Sequence, residues 1–492
     1  MRRIILSAAS LLIATAAINA QSYTSYFVDN NCFGYRINPA LMGEKSFFGL
    51  GVGNINANVN SSIGIGNILF PKQTGTGFVT GLNASVDAKQ FLDGIDPITN
   101  LGVNVTENIL SIGSRRTADK FVNFEINLKS MASASLPKDV FNLLKLGSND
   151  TPFDLSATSM DLKTYAELAF GISKQYSSKV NIGFRVKALV GIESAAVKAN
   201  KMNVLISGDK WEVDSDAEFK AAARYIDFGV DDKGNLDWSA NFLKSGIYPA
   251  GFGAGVDFGV EIYPTELLSI GVAVRDFGAI VWNNNTIAKS VAHTTFTGSS
   301  SEIDLSDPSE SSIGKDIEDA FNELKKATEF KKEQNGKNEL ELLPISANAG
   351  IRYRMPFWRR LSVGALADCC YYKNVFTYGV RGAATLSPLD WFSLSGSIGT
   401  GNYGNSFGVA ASINLLSFNL FLAMDSYLGR VGTYNNISVI PLDKSYERIS
   451  VGLNLTFGNR FALFPEYAKK VARREARMQK KAAKENSQAA QE

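Results

Sequence analysis

Histidine occurs once in these 492 residues and cysteine three times, so the side chains on which metal centres and nucleophilic catalysis most often rest are nearly absent. Cys32, Cys369 and Cys370 have no metal-ligand or redox spacing. Adjacent cysteines on one strand point to opposite faces, so these three read as small apolar strand residues. Proline is scarce, 13 against 43 glycines, which favours closely spaced strands and turns over a helical protein. Beyond residue 20 no unbroken apolar run reaches the roughly 18 residues of a spanning helix. The nearest, Val409 to Met424, is interrupted by Ser412, Asn414, Ser417 and Asn419, which fit the polar positions of two short strands. Excess charge of either sign is missing too. The formal net charge is +2, and that excludes nucleic acid as the expected partner.

What is present is alternation. From Tyr446 to Phe457, Ile449, Val451, Leu453, Leu455 and Phe457 occupy one face, and Arg448, Ser450, Gly452, Asn454 and Thr456 the other. One apolar and one polar side over about ten residues is the pattern of a membrane β-strand. At the other end, Met1-Arg2-Arg3 is basic, Ile4 to Ile18 carries no charge, and small residues end at Ala20. This reads as a cleaved secretory signal. Gln21, not cysteine, then opens the mature chain, which argues against lipoprotein processing. Export and two-sided strands together predict an outer-membrane protein.

The alternation can be followed from Gly251 onward through nine segments: Gly251–Ile262, Leu268–Trp282, Ile345–Met355, Leu361–Tyr372, Val375–Ser387, Trp391–Thr400, Asn405–Asn414, Ser417–Leu428 and Tyr446–Phe457. Every second connection is short (Pro264–Leu267, Pro356–Arg360, Pro388–Asp390, Leu415–Leu416), as bacterial outer-membrane barrels require of their periplasmic turns. Leu415–Leu416 is nonetheless poor turn chemistry. Five further strands are expected at Gly75–Asp87, Glu107–Ser114, Phe121–Met131, Thr164–Gln175 and Lys179–Ile192. Lys198–Ile206 with Ala217–Phe228 reads either as another wall hairpin or as part of a loop. The fold class is therefore all-β, a transmembrane antiparallel β-barrel of about 14 strands, within roughly 12–16.

Two arginines on one segment, Arg352 and Arg354, decide which face is which. A lipid-facing arginine at mid-bilayer costs about 2–4 kcal/mol, so both are expected inside. The same argument sends Arg185, Lys187, Asp257, Glu261, Arg275, Asp368, Arg381, Asp425 and Arg448 to the lumen. A soluble β-sandwich with a solvated outer face would alternate in the same way. The export signal, the turn parity and flanking aromatics at Trp358, Trp391, Tyr263 and Trp282 favour the membrane.

Outside the wall, Ile313, Ile317, Phe321 and Leu324 recur at helical spacing after Ser311–Ser312, and Pro137 to Leu146 carries Val140, Phe141, Leu143 and Leu144. Both predict helical insertions in outer loops. From Phe461 a helical tail rich in Ala, Lys, Arg and Glu follows, with Pro465 at its start and eight cations beyond it. Without that tail, Arg2 and Arg3, the chain retains 40 basic and 44 acidic residues. The body is mildly acidic and the tail basic. The expected division is 1–20 signal peptide, 21–74 amino-terminal hatch, 75–457 barrel and 458–492 basic periplasmic tail.

Motifs for chemistry are few. Gly399-Thr400-Gly401-Asn402-Tyr403-Gly404 has the spacing of a dinucleotide fingerprint, but it lies between two strands with no following helix to hold a pyrophosphate. It reads as a tight loop. His293, placed in the long outer loop with Ser290 nearby, is the one candidate base for a lipase-like serine. No His/Cys/Asp cluster has a metal spacing. The expectation is a protein that is not an enzyme and holds no cofactor.

Two passages resemble a known family. Ile37-Asn38-Pro39-Ala40-Leu41 resembles the Asn-Pro-Ala element near the amino terminus of long-chain fatty-acid transporter (FadL-type) barrels. Ser450-x-Gly452-x-x-Leu455-x-Phe457 resembles the signal by which barrel-assembly machinery recognises a last strand, here followed by a 35-residue tail. The resemblance implies a 14-strand barrel whose amino-terminal segment, with Asn38, Pro39 and Ala40, forms a hatch in the lumen. Some relatives of this layout serve protein secretion. The leading expectation is passive uptake of a small hydrophobic molecule through a plugged lumen. The alternative is a non-transporting barrel that docks a partner protein, secretion-associated or envelope-structural, through outer loops or the basic tail. Partners on the first reading are outer-membrane lipid, the barrel-assembly machinery, a hydrophobic small-molecule ligand and a periplasmic partner of the tail.

Overall fold

A computed structural model describes residues 22–460 apart from 52–53, 73–77, 148–150, 208–209, 238–240, 243–247, 285, 298–329, 334–336, 374, 416, 435–436, 442 and 459. The signal segment 1–20, the helix read around Ile313–Leu324 and the tail from Phe461 lie outside the described residues.

Among the described residues, 14 antiparallel strands close into one barrel. In chain order the wall is 46–61, Ile98–Thr117, Lys120–Pro137, Ser159–Ser177, Val180–Ser207, Gly251–Ile262, Leu268–Asn284, Ile345–Arg354, Leu361–Tyr372, Val375–Leu389, Phe392–Gly401, Gly404–Leu415, Phe418–Tyr427 and Ser445–Phe457. The last strand closes on the first, with Ser46 opposite Phe457 and Ile55 opposite Val451. Closure leaves no unpaired edge around the wall, which a bilayer demands of any strand-built span. No described helix is long and apolar enough to cross a membrane.

The strand count agrees with the sequence reading, but one member differs. Gly75–Asp87 is not a wall strand: its described part holds Phe78–Thr80, paired with Leu69–Pro71 in a small hairpin, and then Asp87 caps the helix Ala88–Asp93. Its place is taken by 46–61, built from Ser46–Leu50 and Ile55–Ser61. The glycine-rich break between these pieces hides an alternation in which Asn56 and Asn58 are buried inside. The barrel therefore begins at Ser46 and not at residue 75, and only 22–45 remains outside the wall. Lys198–Ile206 prolongs the 28-residue wall strand Val180–Ser207 and adds none to the count. Crossing takes roughly 9–11 residues, so that strand rises well beyond the membrane. Lys210–Ala222 and Thr286–Thr297 pair beside it in a protruding sheet. The helix Lys138–Leu146 forms with Pro137 as its cap, and its Val140 and Leu143 pack against the apolar cluster of that sheet around Val204 and Val213.

Two expected interface aromatics are corrected. Trp282 and Tyr263 are buried, whereas Trp358 and Trp391 are exposed near the short turns. A bulge opposite Val256–Phe258, with Asp276 at φ 57°, inserts one residue into Leu268–Asn284. Every later side chain on that strand changes face. Ile270, Val272 and Val274 point outward before it, and Phe277 and Val281 after it. Trp282 thereby turns inward, where its Nε1 donates to Glu341 at 3.0 Å.

The turn at Leu415 also finds its explanation. Asn419 Nδ2 donates to Asn414 Oδ1 at 2.8 Å and to Ser412 Oγ at 3.1 Å, so inward amides clamp a turn whose Leu415 and Phe418 stay exposed on the lipid side. The outer face carries Phe252, Val380, Ile398, Val409, Leu453 and Leu455 in the open, far more contiguous apolar surface than a soluble monomer shows. Leu453→Arg is expected to cost about 2–4 kcal/mol, read as a lower urea midpoint in reconstituted vesicles. Ser450→Thr, on the inner face of the same strand, is the comparison.

Candidate functional site

Residues 22–45 enter the barrel from the short-turn end and fill that half of the lumen. The segment lacks the two-residue period of a strand and carries short 3-10 turns at Tyr23–Tyr26 and Gly34–Arg36. Its apolar side chains are almost fully enclosed. Phe33 meets Phe47 at 5.6 Å between ring centres and Tyr35 meets Phe121 at 5.7 Å, while Tyr26 and Phe27 pack edge-on at 5.2 Å. Glycines on the inner wall make room: a Cβ on Gly183 would strike the Pro39 carbonyl, and one on Gly259 the Asn38 side chain.

Polar contacts fix the plug to strands on every side. Asn38 Nδ2 donates to the Val260 carbonyl and to Glu261, both at 3.1 Å, and its Oδ1 accepts from Ala40 N–H at 3.0 Å. The Pro39 carbonyl accepts from Ser173 Oγ at 2.6 Å. At the near end, Ser22 N–H donates to Ser450 Oγ at 2.8 Å and Tyr23 N–H to Asp425 at 2.7 Å. Arg354 reaches Asp29 at 3.1 Å. Arg460, just past the last strand, holds Glu44 and the Asn30 amide oxygen, both at 2.5 Å.

Arg185, Lys187, Asp257, Glu261, Arg275, Arg352, Arg354, Asp368, Arg381, Asp425 and Arg448 all lie inside the barrel, in the plug interface or around the space above it. Arg185, Lys187 and Asp257 belong to one ion-pair network, joined through Arg185 and Asp257 at 3.5 Å, with partners that the sequence reading left out. Glu125 is shared by Tyr35 OH at 2.8 Å, Arg36 at 2.6 Å and Arg185. Lys187 binds Asp257 at 2.6 Å and Asp276 at 2.7 Å, and Lys129 binds Glu167 at 2.7 Å. Glu125 and Lys129 lie on the same alternating face as Phe121 and Asn123, and the cost of a charge in lipid that sends Arg185 inward sends them inward too.

Above the plug the lumen holds a cavity of about 950 Å³ whose floor includes Tyr23 and Arg36. Its inner wall is polar, with the Asn56–Asn58–Asn60 row facing Arg275, Arg381 and Arg448. Towards the long-loop end Met131 and Tyr372 line it. The last-strand passage divides between the two faces. Ser450 and Gly452 touch the plug, whereas Leu455 and Phe457 are exposed to the lipid side.

His293 does not sit in a loop. It is exposed on the strand Thr286–Thr297, opposite Asp214. Ser290, three residues away, is buried and pairs with Ser215 at 3.3 Å, so an odd spacing puts the two on opposite faces. Gly401 and Gly404 stand opposite one another in a hairpin turn. Among the described residues no three His, Cys, Asp or Glu side chains converge as for a metal ion, and none of the three cysteines bridges another.

Residues 39–425 match the family of unknown function DUF5723. The chain belongs to that family. Solved barrels similar to it in arrangement include the Ralstonia pickettii toluene transporter TbuX, at 10 % identity over 86 % of this chain and 92 % of that one, with a TM-score of 0.41. A Pseudomonas aeruginosa FadL homologue stands at 10 % identity over 86 % and 93 %, TM-score 0.42. The P. putida toluene transporter TodX stands at 8 % over 86 % and 93 %, TM-score 0.39. No curated protein matches the chain by sequence.

Proposed function

We propose that this DUF5723 protein is an outer-membrane uptake barrel in which a small, partly hydrophobic molecule enters from the long-loop end and passes passively once 22–45 moves. The short-turn end is then periplasmic. The observation that carries this reading is the cavity of about 950 Å³ that ends on the plug, a size that holds a small molecule. Met131 and the Tyr372 ring offer the first contacts to a greasy body, and polar groups lie deeper. The plug is held by hydrogen bonds and ion pairs, not by a covalent bond or a wall strand, so it can leave without opening the barrel.

Deleting 22–45 while retaining everything from Ser46 is the test. Uptake of labelled hydrophobic and small polar solutes into proteoliposomes is expected to rise. Extending the deletion to residue 74 removes the first wall strand and is expected to abolish assembly. Unchanged flux of every solute with an intact, plug-less barrel overturns the reading.

The protruding sheet favours a second reading, a barrel that docks a partner protein, since uptake alone gives no reason for a strand of 28 residues. Partners captured by the whole protein and lost when Lys210–Ala222 is replaced by a short turn support docking. Capture that depends instead on Phe461–Glu492 assigns it to the basic tail.

A further inference from the structure

Around Tyr23 of the plug the pairing of charges is incomplete. Arg381 takes both nearby carboxylates, Asp425 at 3.0 Å and Asp368 at 3.9 Å. Arg448 is left with ring faces: its guanidinium carbon stands 4.3 Å from the Tyr23 ring centre and 4.6 Å from that of Tyr446. Its side chain, 9 % exposed, lines the inner end of the cavity. Nε and Nη1 meet no acceptor, and among the described residues Arg448 forms no ion pair. Asn58 stands opposite it in register, turned to the same face, and its Oδ1 is likewise buried with no donor. Arg275, across the Tyr23 ring, binds only neutral plug acceptors, the Arg36 carbonyl at 2.9 Å and the Tyr23 hydroxyl at 3.2 Å.

Although Asp425 stands opposite Arg448 in register, no carboxylate among the described residues lies within ion-pair reach of its guanidinium. A buried guanidinium with unfilled donors and a buried amide oxygen without a donor are both unfavourable. The Tyr23 ring compensates the first only in part. One ligand chemistry would relieve both, an acceptor carrying negative charge next to a group that donates. We propose that Arg448 and Asn58 form a binding site for a hydroxylated carboxylate, closed at rest by Tyr23. The carboxylate accepts from Arg448, and a neighbouring hydroxyl donates to Asn58 Oδ1. Asp368 and Asp425 close by disfavour a dianion such as a phosphate monoester. Because Tyr23 covers the same guanidinium, occupancy competes with the plug, and the ligand itself lowers the barrier to opening.

This site rests on the uptake reading, yet it can fail separately, since binding is measured without transport. Calorimetry on the whole mature protein in nanodiscs would compare phenyl glucuronide, phenyl glucoside and benzoate. The glucuronide is expected to bind tightest, because the glucoside lacks the charge and benzoate the hydroxyls. Arg448→Gln is expected to weaken it by more than about tenfold. Tyr23→Ala is expected to tighten it several-fold by removing the competitor, a direction that general damage to the lumen would not produce. Equal binding of the three compounds, no binding by either the natural protein or the Tyr23→Ala variant, or weaker binding by that variant overturns the site. If that happens while the 22–45 deletion still raises flux, the uptake reading stands alone.

Discussion

Replacing Glu125 by glutamine is expected to lower the stability of the barrel by about 3–5 kcal/mol, the range for removing one partner of a buried ion pair. Glu125 is 1 % exposed and receives Arg36 and Tyr35 from the plug together with Arg185 from the wall. Glutamine keeps the shape and one acceptor but leaves two guanidinium groups enclosed, with Asp257 at 3.5 Å as the remaining carboxylate for Arg185. The loss is expected to be strongly non-additive. Once Glu125→Gln is present, Arg36→Gln should cost little, because the charge it removes has already lost its partner. Urea unfolding in lipid vesicles of the two single variants and the double variant measures the coupling. Equal and additive losses would show that the triad is solvated and not a joint. Plug and wall meet in this group, so Glu125→Gln should also pass brief current bursts in planar bilayers.

Gly183→Leu is expected to expel the plug while sparing the wall. Any Cβ at 183 runs into the backbone of Pro39 and Ala40, and backbone cannot yield as a long side chain does. Overpacking of this kind costs about 3 kcal/mol, roughly a hundredfold in the ratio of plugged to open molecules. The wall pairing of Gly183 with Gly259 uses backbone groups alone, so the barrel itself should fold. The expected result is sustained bilayer conductance resembling that of the 22–45 deletion. Gly396→Ala is the control, since nothing lies within 4 Å of the position its Cβ would take. A silent Gly183→Leu barrel would mean that the segment is not a removable plug.

Most of the wall was legible because the signal is local. Gly251–Ile262 and Leu361–Tyr372 are found at the residues read from alternation, and the other strands of the second half differ at their ends by a few residues. The first half was harder, and each difference has a cause. At 46–61 a glycine-rich break splits the strand. At Trp282 a single bulge reverses the faces, and a strict period of two cannot anticipate it. At Lys198–Ile206 the wall strand simply continues past the membrane, and nothing in its composition marks the boundary.

The amino-acid order alone determined that strands would be two-sided, that alternate connections would be short, and that residues such as Arg352 and Asp425 had to avoid lipid. Those conclusions need only the pleat of a strand and the cost of a charge in hydrocarbon. Tertiary structure alone decided where 22–45 goes and which inward charges meet. Tyr23 with Asp425, and Arg36 with Glu125 and Arg185, are joined across hundreds or tens of residues by closure of the barrel. A plug has no period of its own; its path follows the space that wall glycines leave and the acceptors that face that space, and neither exists until the fourteen strands have closed.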